Sequence, residues 1–407
     1  LEKENMSQQR LIHPVAGVYL GATQAKIKKA DKTDFVVVSF VEGSRTAATF
    51  TQNAFCAAPV TVAKAHLQAA ACQALVINSG NANAGTGQQG LKDATQTCEW
   101  VARELGLPTE AVLPFSTGVI GQNLPMDKIE TAIPDAIANQ SIDGWEMAAK
   151  GIMTTDTCDK IVSRQIDIDG VQVTVTGISK GSGMIHPNMA TMLGFAATDA
   201  KISQACLQQA LSDAVNVSFN RITVDGDTST NDACTLTATQ QAAMPEITET
   251  ESSAYQAFAG LVKEVMTELA QMIIRDGEGA TKFVTVQVEG GQNSDECLKV
   301  AHAVALSPLV KTALFASDPN WGRILAAVGR AGLVDLDIDA LQIYLGEVLL
   351  VENGGRADSY TEEAGQAVMD ETDILIRIVL NRGEASEIVW TTDFSYDYVK
   401  INAEYRT

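Results

Sequence analysis

A threonine hydroxyl is a weak nucleophile until a base takes its proton, and one solution makes the threonine's own α-amine that base. Thr191 stands where such chemistry is feasible. It closes the segment Lys180-Gly181-Ser182-Gly183-Met184-Ile185-His186-Pro187-Asn188-Met189-Ala190, whose glycines and proline predict a loop. It opens the apolar run Thr191-Met192-Leu193-Gly194-Phe195-Ala196-Ala197-Thr198, which fits a buried strand. An internal threonine gains a free α-amine only when the bond before it is cut, here Ala190–Thr191. The segment carries no charge between Lys180 and Asp199, but its Gly, Ser, Asn and Pro content excludes a membrane span.

Other stretches carry donors and acceptors suited to an acyl group. In Ser116-Thr117-Gly118-Val119-Ile120-Gly121, glycine lets backbone approach a ligand closely, and a neighbouring hydroxyl and N–H can donate to a developing alkoxide. The hydroxyls of Ile152-Met153-Thr154-Thr155-Asp156-Thr157 either line a site or solvate a loop. Glu278, held between Gly277 and Gly279 after a long helix, reads equally as a ligand contact and as a solvated turn charge. Taken alone, each of these also reads as an ordinary turn. Other patterns fail on context. Gly85-Thr86-Gly87-Gln88-Gln89-Gly90 matches the dinucleotide fingerprint, but several residues separate its first glycine from the preceding strand. Lys180-Gly181-Ser182-Gly183 lacks the Walker spacing. Asp225-Gly226-Asp227 lacks the glycine position and distal glutamate of an EF-hand.

Together these stretches resemble the ornithine acetyltransferase family, also called the bifunctional glutamate N-acetyltransferase family of arginine biosynthesis. The matches run from Asn78-Ser79-Gly80-Asn81-Ala82-Asn83-Ala84-Gly85-Thr86-Gly87 through the Thr117-Gly118, Lys180–Leu193 and Phe219–Asp232 segments to the last residues, Ile401-Asn402-Ala403-Glu404-Tyr405-Arg406-Thr407. The resemblance implies self-cleavage at Ala190–Thr191 into fragments 1–190 and 191–407, two copies of each assembling as an α2β2 heterotetramer. It implies an α+β fold, a layered α/β/β/α sandwich. It implies transfer of an acetyl group from N2-acetyl-L-ornithine to L-glutamate through acetyl-Thr191, with acetyl-CoA left open as a second donor and no cofactor or metal required. Thr117 and Gly118 would hold the oxyanion. Lys180 would pair with a substrate carboxylate and Glu278 with a cationic amine, and Thr154, Asn402 and Thr407 would complete the pocket. Two positions depart from the family pattern: Cys158-Asp159 stand where a proline is usual before Lys160, and His186 replaces a small residue. The rival readings are a self-cleaving aminopeptidase of similar fold, in which water takes the acyl group, and a noncatalytic amino-acid-binding homologue.

The elements that must position these residues are partly legible. Phe35–Phe40 and Ala74–Ile77 read as buried strands, and Ile161–Ile168 with Val171–Val175 as a hairpin turning at Asp169-Gly170. Ser203 caps a helix with Leu207, Ala210, Leu211, Ala214 and Val215 on one face. The longest helix begins at Ser253, with Gln256 completing a capping box. Asp318 and Pro319 open another helix, and Ser386–Ile401 reads as strand. The 407 residues carry a formal charge of −21 and 46% hydrophobic residues, enough apolar surface for a large core. The negative charge excludes nonspecific binding to nucleic acid or an anionic membrane. Seven cysteines without a CxxC pair point to a reducing cytoplasm rather than a disulfide framework or zinc site.

Overall fold

The run Phe35-Val36-Val37-Val38 offers no polar face, so a strand built from it must be covered on both sides. That condition organises the molecule. In the computed structural model, which describes residues 10–186 and 192–404, Phe35–Phe40 lies inside a four-stranded sheet in the order Val18–Thr23, Phe35–Phe40, Ala74–Asn81, Val112–Val119. The last pair is parallel and the others are antiparallel.

A five-stranded sheet stacks on its inner face, ordered Arg45–Phe50, Ala233–Ala238, Leu193–Thr198, Val171–Lys180, Lys160–Ile168. Val36, Leu75, Ile77 and Phe115 from the first sheet meet Ile161, Ile178, Phe195 and Ala197 from the second in one buried cluster. Phe115 and Phe195 pack edge-to-face with centroids 5.0 Å apart, a geometry that adds about 0.5–1.5 kcal/mol beyond area burial.

Helices cover the two outer faces. Gly87–Leu105 and Met126–Ala138 lay Cys98, Val101, Ile129 and Ile133 against Val37, Val76 and Val112. Gln204–Val217 and Ser253–Arg275 lay Leu207, Leu211, Phe258, Val262 and Leu269 against Val162, Val175 and Leu236. The layers are helix, sheet, sheet, helix, as the resemblance implies. A third, seven-stranded sheet, with Phe283–Gly291, Asp373–Val379 and Ala385–Thr392 among its strands, builds a further core with the helices Ser294–Ala305 and Trp321–Gly329.

Local chemistry explains the boundaries. Asp169 and Gly170 adopt φ of 54° and 83°, the paired positive values of a type I′ hairpin, and the second strand of that hairpin runs on to Lys180. Ser203 accepts from Cys206 N. Three expectations shift. Ser252 is the cap of the long helix, accepting from Tyr255 N at 3.2 Å, while Gln256 turns its amide to Thr250 O at 2.7 Å instead of closing a capping box. The helix after Pro319 starts at Trp321, because the Asn320 side chain takes the capping bond from Arg323 N at 3.1 Å while Asp318 holds that asparagine's amide. The segment expected as strand up to Ile401 breaks after Thr392. Ser395 accepts from Tyr398 N and starts the helix Tyr396–Ala403. Ala190, Thr191 and Thr407 lie outside the described residues.

Candidate active site

Backbone approach between the parallel strands Ala74–Asn81 and Val112–Val119 sets one wall of the site. Ser79 pairs with Thr117 and Gly80 with Gly118, after which the register slips. Gly118 has φ of 134°. A β-carbon there would run into the Gly80 carbonyl carbon and come within 2.5 Å of Asn81 N, so only glycine fits.

The asparagine-rich loop that follows Ile77 is held by its own amides, as buried polar groups require. Asn78 Nδ2 donates to Asn81 O at 2.9 Å, and Ser116 Oγ donates to Asn78 Oδ1 at 2.5 Å. Asn83 N donates to Asn81 Oδ1 at 2.8 Å. Asn231, from the Phe219–Asp232 segment, ties both strands together by donating to Ala82 O at 2.6 Å and Ser116 O at 2.9 Å.

The opposite wall comes from the second sheet. Lys180 and Leu193 are register partners in adjacent antiparallel strands, so the loop between them begins and ends at one end of this strand pair. A buried charge network pins this end. Lys160 Nζ donates to Asp156 Oδ1 at 2.7 Å and to Asp276 Oδ2 at 2.5 Å, and the three side chains are 0%, 0% and 5% exposed. Asp156 also accepts from Gly181 N at 2.8 Å and Thr154 N at 2.9 Å. Asp276 accepts from Thr157 N at 3.0 Å. One cation thus joins the Thr154 loop, the start of the Gly181 loop and the turn carrying Glu278.

Electrostatics follow from that packing. Burial pushes the Asp156 carboxyl up, but Lys160 and Lys180 outweigh it and hold the group at about 2. Burial lowers Lys180, which Asp156, Asp232 and Glu278 oppose. Lys32, also lowered by burial with Asp156 opposing, donates to Met153 O at 2.8 Å and Thr154 O at 3.0 Å and so fixes the Thr154 loop from outside.

Glu278 is 7% exposed. Its N–H donates to Ser182 O at 2.8 Å, and its Oε2 accepts from Asn402 Nδ2 at 2.7 Å. A β-carbon at Gly183 would press on this carboxylate, 2.6 Å from Oε1, so the glycine admits Glu278 to the site. The walls enclose a cavity of about 270 Å³ whose lining includes Thr117, Gly118, Thr154, Lys180, Glu278 and Asn402. Every site residue expected from the sequence and lying among the described residues is here, drawn from segments as far apart as 117 and 402.

Thr155, from the stretch whose hydroxyls the sequence left open between lining a site and solvating a loop, also lines the cavity, as do Thr230 and Asn231, which were not singled out by sequence. The signal was available for Asn231, in a stretch already matched to the family, but its amide reads as turn chemistry until its two distant acceptors are known. His186 packs edge-on against His302, centroids 5.4 Å apart. It is not among the residues lining the cavity. Among the described residues no group of three His, Cys, Asp or Glu is placed to hold a metal ion, and no single helix is long and apolar enough to cross a membrane.

The ArgJ family model matches residues 19–407. The chain belongs to the ArgJ family. An ArgJ relative, the arginine biosynthesis bifunctional protein of Pseudomonas syringae pv. tomato, is 59% identical over 396 residues, 97% of this chain and 98% of that protein. Among solved structures, the arginine biosynthesis bifunctional protein ArgJ of Bacillus halodurans is 38% identical with a TM-score of 0.50, and the match covers 52% of this chain and 99% of that one. The ornithine acetyltransferase of Mycobacterium tuberculosis, solved with ornithine, is 31% identical with a TM-score of 0.39, covering 44% of this chain and 93% of that one. Family membership extends over the full stretch from the first sheet to the C-terminal helix, so the ArgJ fold includes all walls of the cavity.

Proposed function

We propose that this ArgJ-family chain is a glutamate N-acetyltransferase of arginine biosynthesis, acting in the cytoplasm and moving an acetyl group from N2-acetyl-L-ornithine to L-glutamate. The observation that carries the reading is the convergence of Thr117, Gly118, Thr154, Lys180, Glu278 and Asn402 on one cavity. The relative at 59% identity is named for arginine biosynthesis and for two functions, which fits acetyl-CoA as a second acetyl donor.

In this mechanism, Thr191 Oγ attacks the acetyl carbonyl and its α-amine takes the proton. The Oγ–carbon bond forms, and the amide bond to ornithine breaks as ornithine's nitrogen leaves with that proton. Thr117 and the backbone at Gly118 stabilise the oxyanion. Lys180 pairs with a substrate carboxylate and Glu278 with the cationic side-chain amine of ornithine, while Thr154, Asn402 and Thr407 complete the pocket. Glutamate's amine then opens the ester. The α-amine arises by self-cleavage at Ala190–Thr191, giving fragments 1–190 and 191–407 that assemble with two copies of each. A cut there leaves both fragments in one sheet, since Leu193–Thr198 sits between Val171–Lys180 and Ala233–Ala238. The solved Bacillus halodurans chain matches over 99% of its own length but 52% of this one, the proportion expected of one fragment.

Mass spectrometry of the fragment beginning at Thr191, after incubation with acetylornithine and without glutamate, tests the step directly. An added acetyl group is expected, together with parallel double-reciprocal lines at several fixed glutamate concentrations. Intersecting lines and an unmodified fragment under active turnover would remove the acetyl-enzyme. Gly118→Ala is expected to cost on the order of 10²–10³ in kcat, as loss of one oxyanion donor does, because the added carbon must part the strands at Gly80 and Asn81. Wild-type kcat in that variant would take Gly118 out of the mechanism.

A further inference from the structure

A second cavity, of about 230 Å³, lies beside the first, and Gly118, Thr154 and Thr155 line both. Its other walls carry Lys28, Lys29 and Lys32, with Asp34 from the same loop and Glu404 from the cap of the C-terminal helix. The steps derived above bring none of these lysines to a substrate. Yet Lys26, Lys28, Lys29 and Lys32 fall within seven positions of a chain whose formal charge is −21, so positive potential is concentrated here, beside the oxyanion wall.

The loop that carries the lysines is fastened to the site. Asp34, 2% exposed, accepts through its carboxyl oxygens from Ala25 N at 2.7 Å and Ile27 N at 2.6 Å, and its carbonyl accepts from Ser79 N at 2.9 Å. Its acid group is thereby turned onto backbone, which leaves three lysines against Glu404 at the cavity. Gly80, at φ of 97°, lets the loop close in: a β-carbon there would stand 3.2 Å from Lys28 Cβ. Lys32 Nζ donates to Met153 O and Thr154 O, and an ammonium carries a third hydrogen.

The two substrates of the proposed reaction differ in what they bring to these cavities. Acetylornithine has one carboxylate and a cationic side chain, which Lys180 and Glu278 suit. Glutamate has a carboxylate where that cation would be, and beside the buried Glu278 two like charges repel. Glu278 lines the first cavity and is absent from the lining of the second. Glutamate's side chain is two methylenes long and starts at the carbon bearing the reacting amine, so its carboxylate must lie close to the oxyanion wall. The lysine cavity meets that wall at Gly118. We propose that this second cavity is the side-chain subsite for the acceptor: the ammonium groups of Lys28, Lys29 and Lys32 bind the γ-carboxylate of glutamate and thereby select it over uncharged amino acids. The inference rests on the glutamate N-acetyltransferase reading.

Glutamine tests the subsite, because it matches glutamate in shape and lacks the γ charge. Lys29→Gln is expected to lower the ratio of kcat/KM for glutamate over glutamine by on the order of 10-fold, the scale of a hydrogen bond to a charged group, and Lys29→Arg to keep it near wild type. A loss of packing alone slows both acceptors alike and leaves the ratio where it was. An unchanged ratio in Lys29→Gln overturns the proposal, and a rise in the KM for acetyl-CoA at that unchanged ratio would give the lysines to the phosphates of a donor instead. A wild-type enzyme that forms no N-acetylglutamate overturns the underlying reading. Should the variant fail to fold or to cut, the wild-type enzyme serves alone. Its glutamate-over-glutamine ratio is expected to fall as sodium chloride rises from about 0.05 M to about 0.5 M, since salt screens the one charge by which the two acceptors differ. A ratio that does not respond to salt overturns the subsite.

Discussion

Thr191→Ala is expected to remain one uncut chain and to lose acetyl transfer by on the order of 10⁴–10⁶, the scale seen when the nucleophile of a catalytic unit is removed. The proposed mechanism requires the same hydroxyl twice: it attacks the carbonyl of Ala190 in cleavage and the acetyl carbonyl in transfer, and the second event also needs the amine that only the first can free. Removing one oxygen therefore deletes nucleophile and base together, which is why the effect should exceed that of any change in the oxyanion wall. Loss of fold is not expected to explain it, since the strand Leu193–Thr198 is anchored by its register with Val171–Lys180 and Ala233–Ala238, and those bonds do not involve the hydroxyl. Thr191→Ser, which keeps a hydroxyl, is expected to cut and to turn over. Intact mass and acetyl-transfer rates measured on both variants check this. Normal processing of Thr191→Ala in a host lacking other ArgJ proteins would exclude self-cleavage.

Different parts of this molecule were legible for different physical reasons. The helix Ser253–Arg275 shows in the sequence because its apolar residues recur at helical spacing, and Phe258, Leu261, Val262, Val265, Leu269 and Ile273 are all buried. The hairpin at Asp169-Gly170 shows because the turn demands residues that tolerate positive φ. The layer order does not show: a strand such as Phe35–Phe40, apolar on both faces, says that something covers each side and not what. That expectation came from the resemblance. The helix Tyr396–Ala403 was hidden for the opposite reason. It buries no residue, so there is no apolar stripe to reveal it, and only the cap at Ser395 marks its start. The candidates carried by glycine, Gly118 and the loop around Glu278, read by type alone as ordinary turns as readily as site residues, and the resemblance singled them out. It did not single out Asp156, Lys160 and Asp276. An aspartate and a lysine four apart look like surface charges, and their meaning appears only when Asp276, 116 positions beyond Lys160, closes the network.

Lys160→Met is accordingly expected to destabilise the protein by about 3–5 kcal/mol, the range for removing one partner of a buried charge pair. Methionine fills similar space, so packing loss contributes little. What remains is two carboxylates, Asp156 and Asp276, that the fold keeps from water. The damage should reach the active site, because Asp156 is also the acceptor for Thr154 N and Gly181 N, and a protonated or displaced Asp156 releases both loops. The pH dependence has a definite sign. Asp156 is depressed from 3.8 to about 2 by Lys160 and Lys180 against the upward push of burial. A depressed carboxyl contributes stability that is complete above its unfolded value and is lost as pH falls through the folded one, so the wild-type contribution drains away between about 4 and 2. Without Lys160, burial prevails and the carboxyl takes up its proton at higher pH, moving acid unfolding of the variant toward neutrality. Adding Asp276→Asn to Lys160→Met removes one of the two stranded charges and should recover part of the loss. Urea unfolding midpoints of the wild type and both variants, measured at pH 7 and again near pH 4, decide the matter: a Lys160→Met midpoint equal to wild type at both would mean that the network does not hold the two loops together.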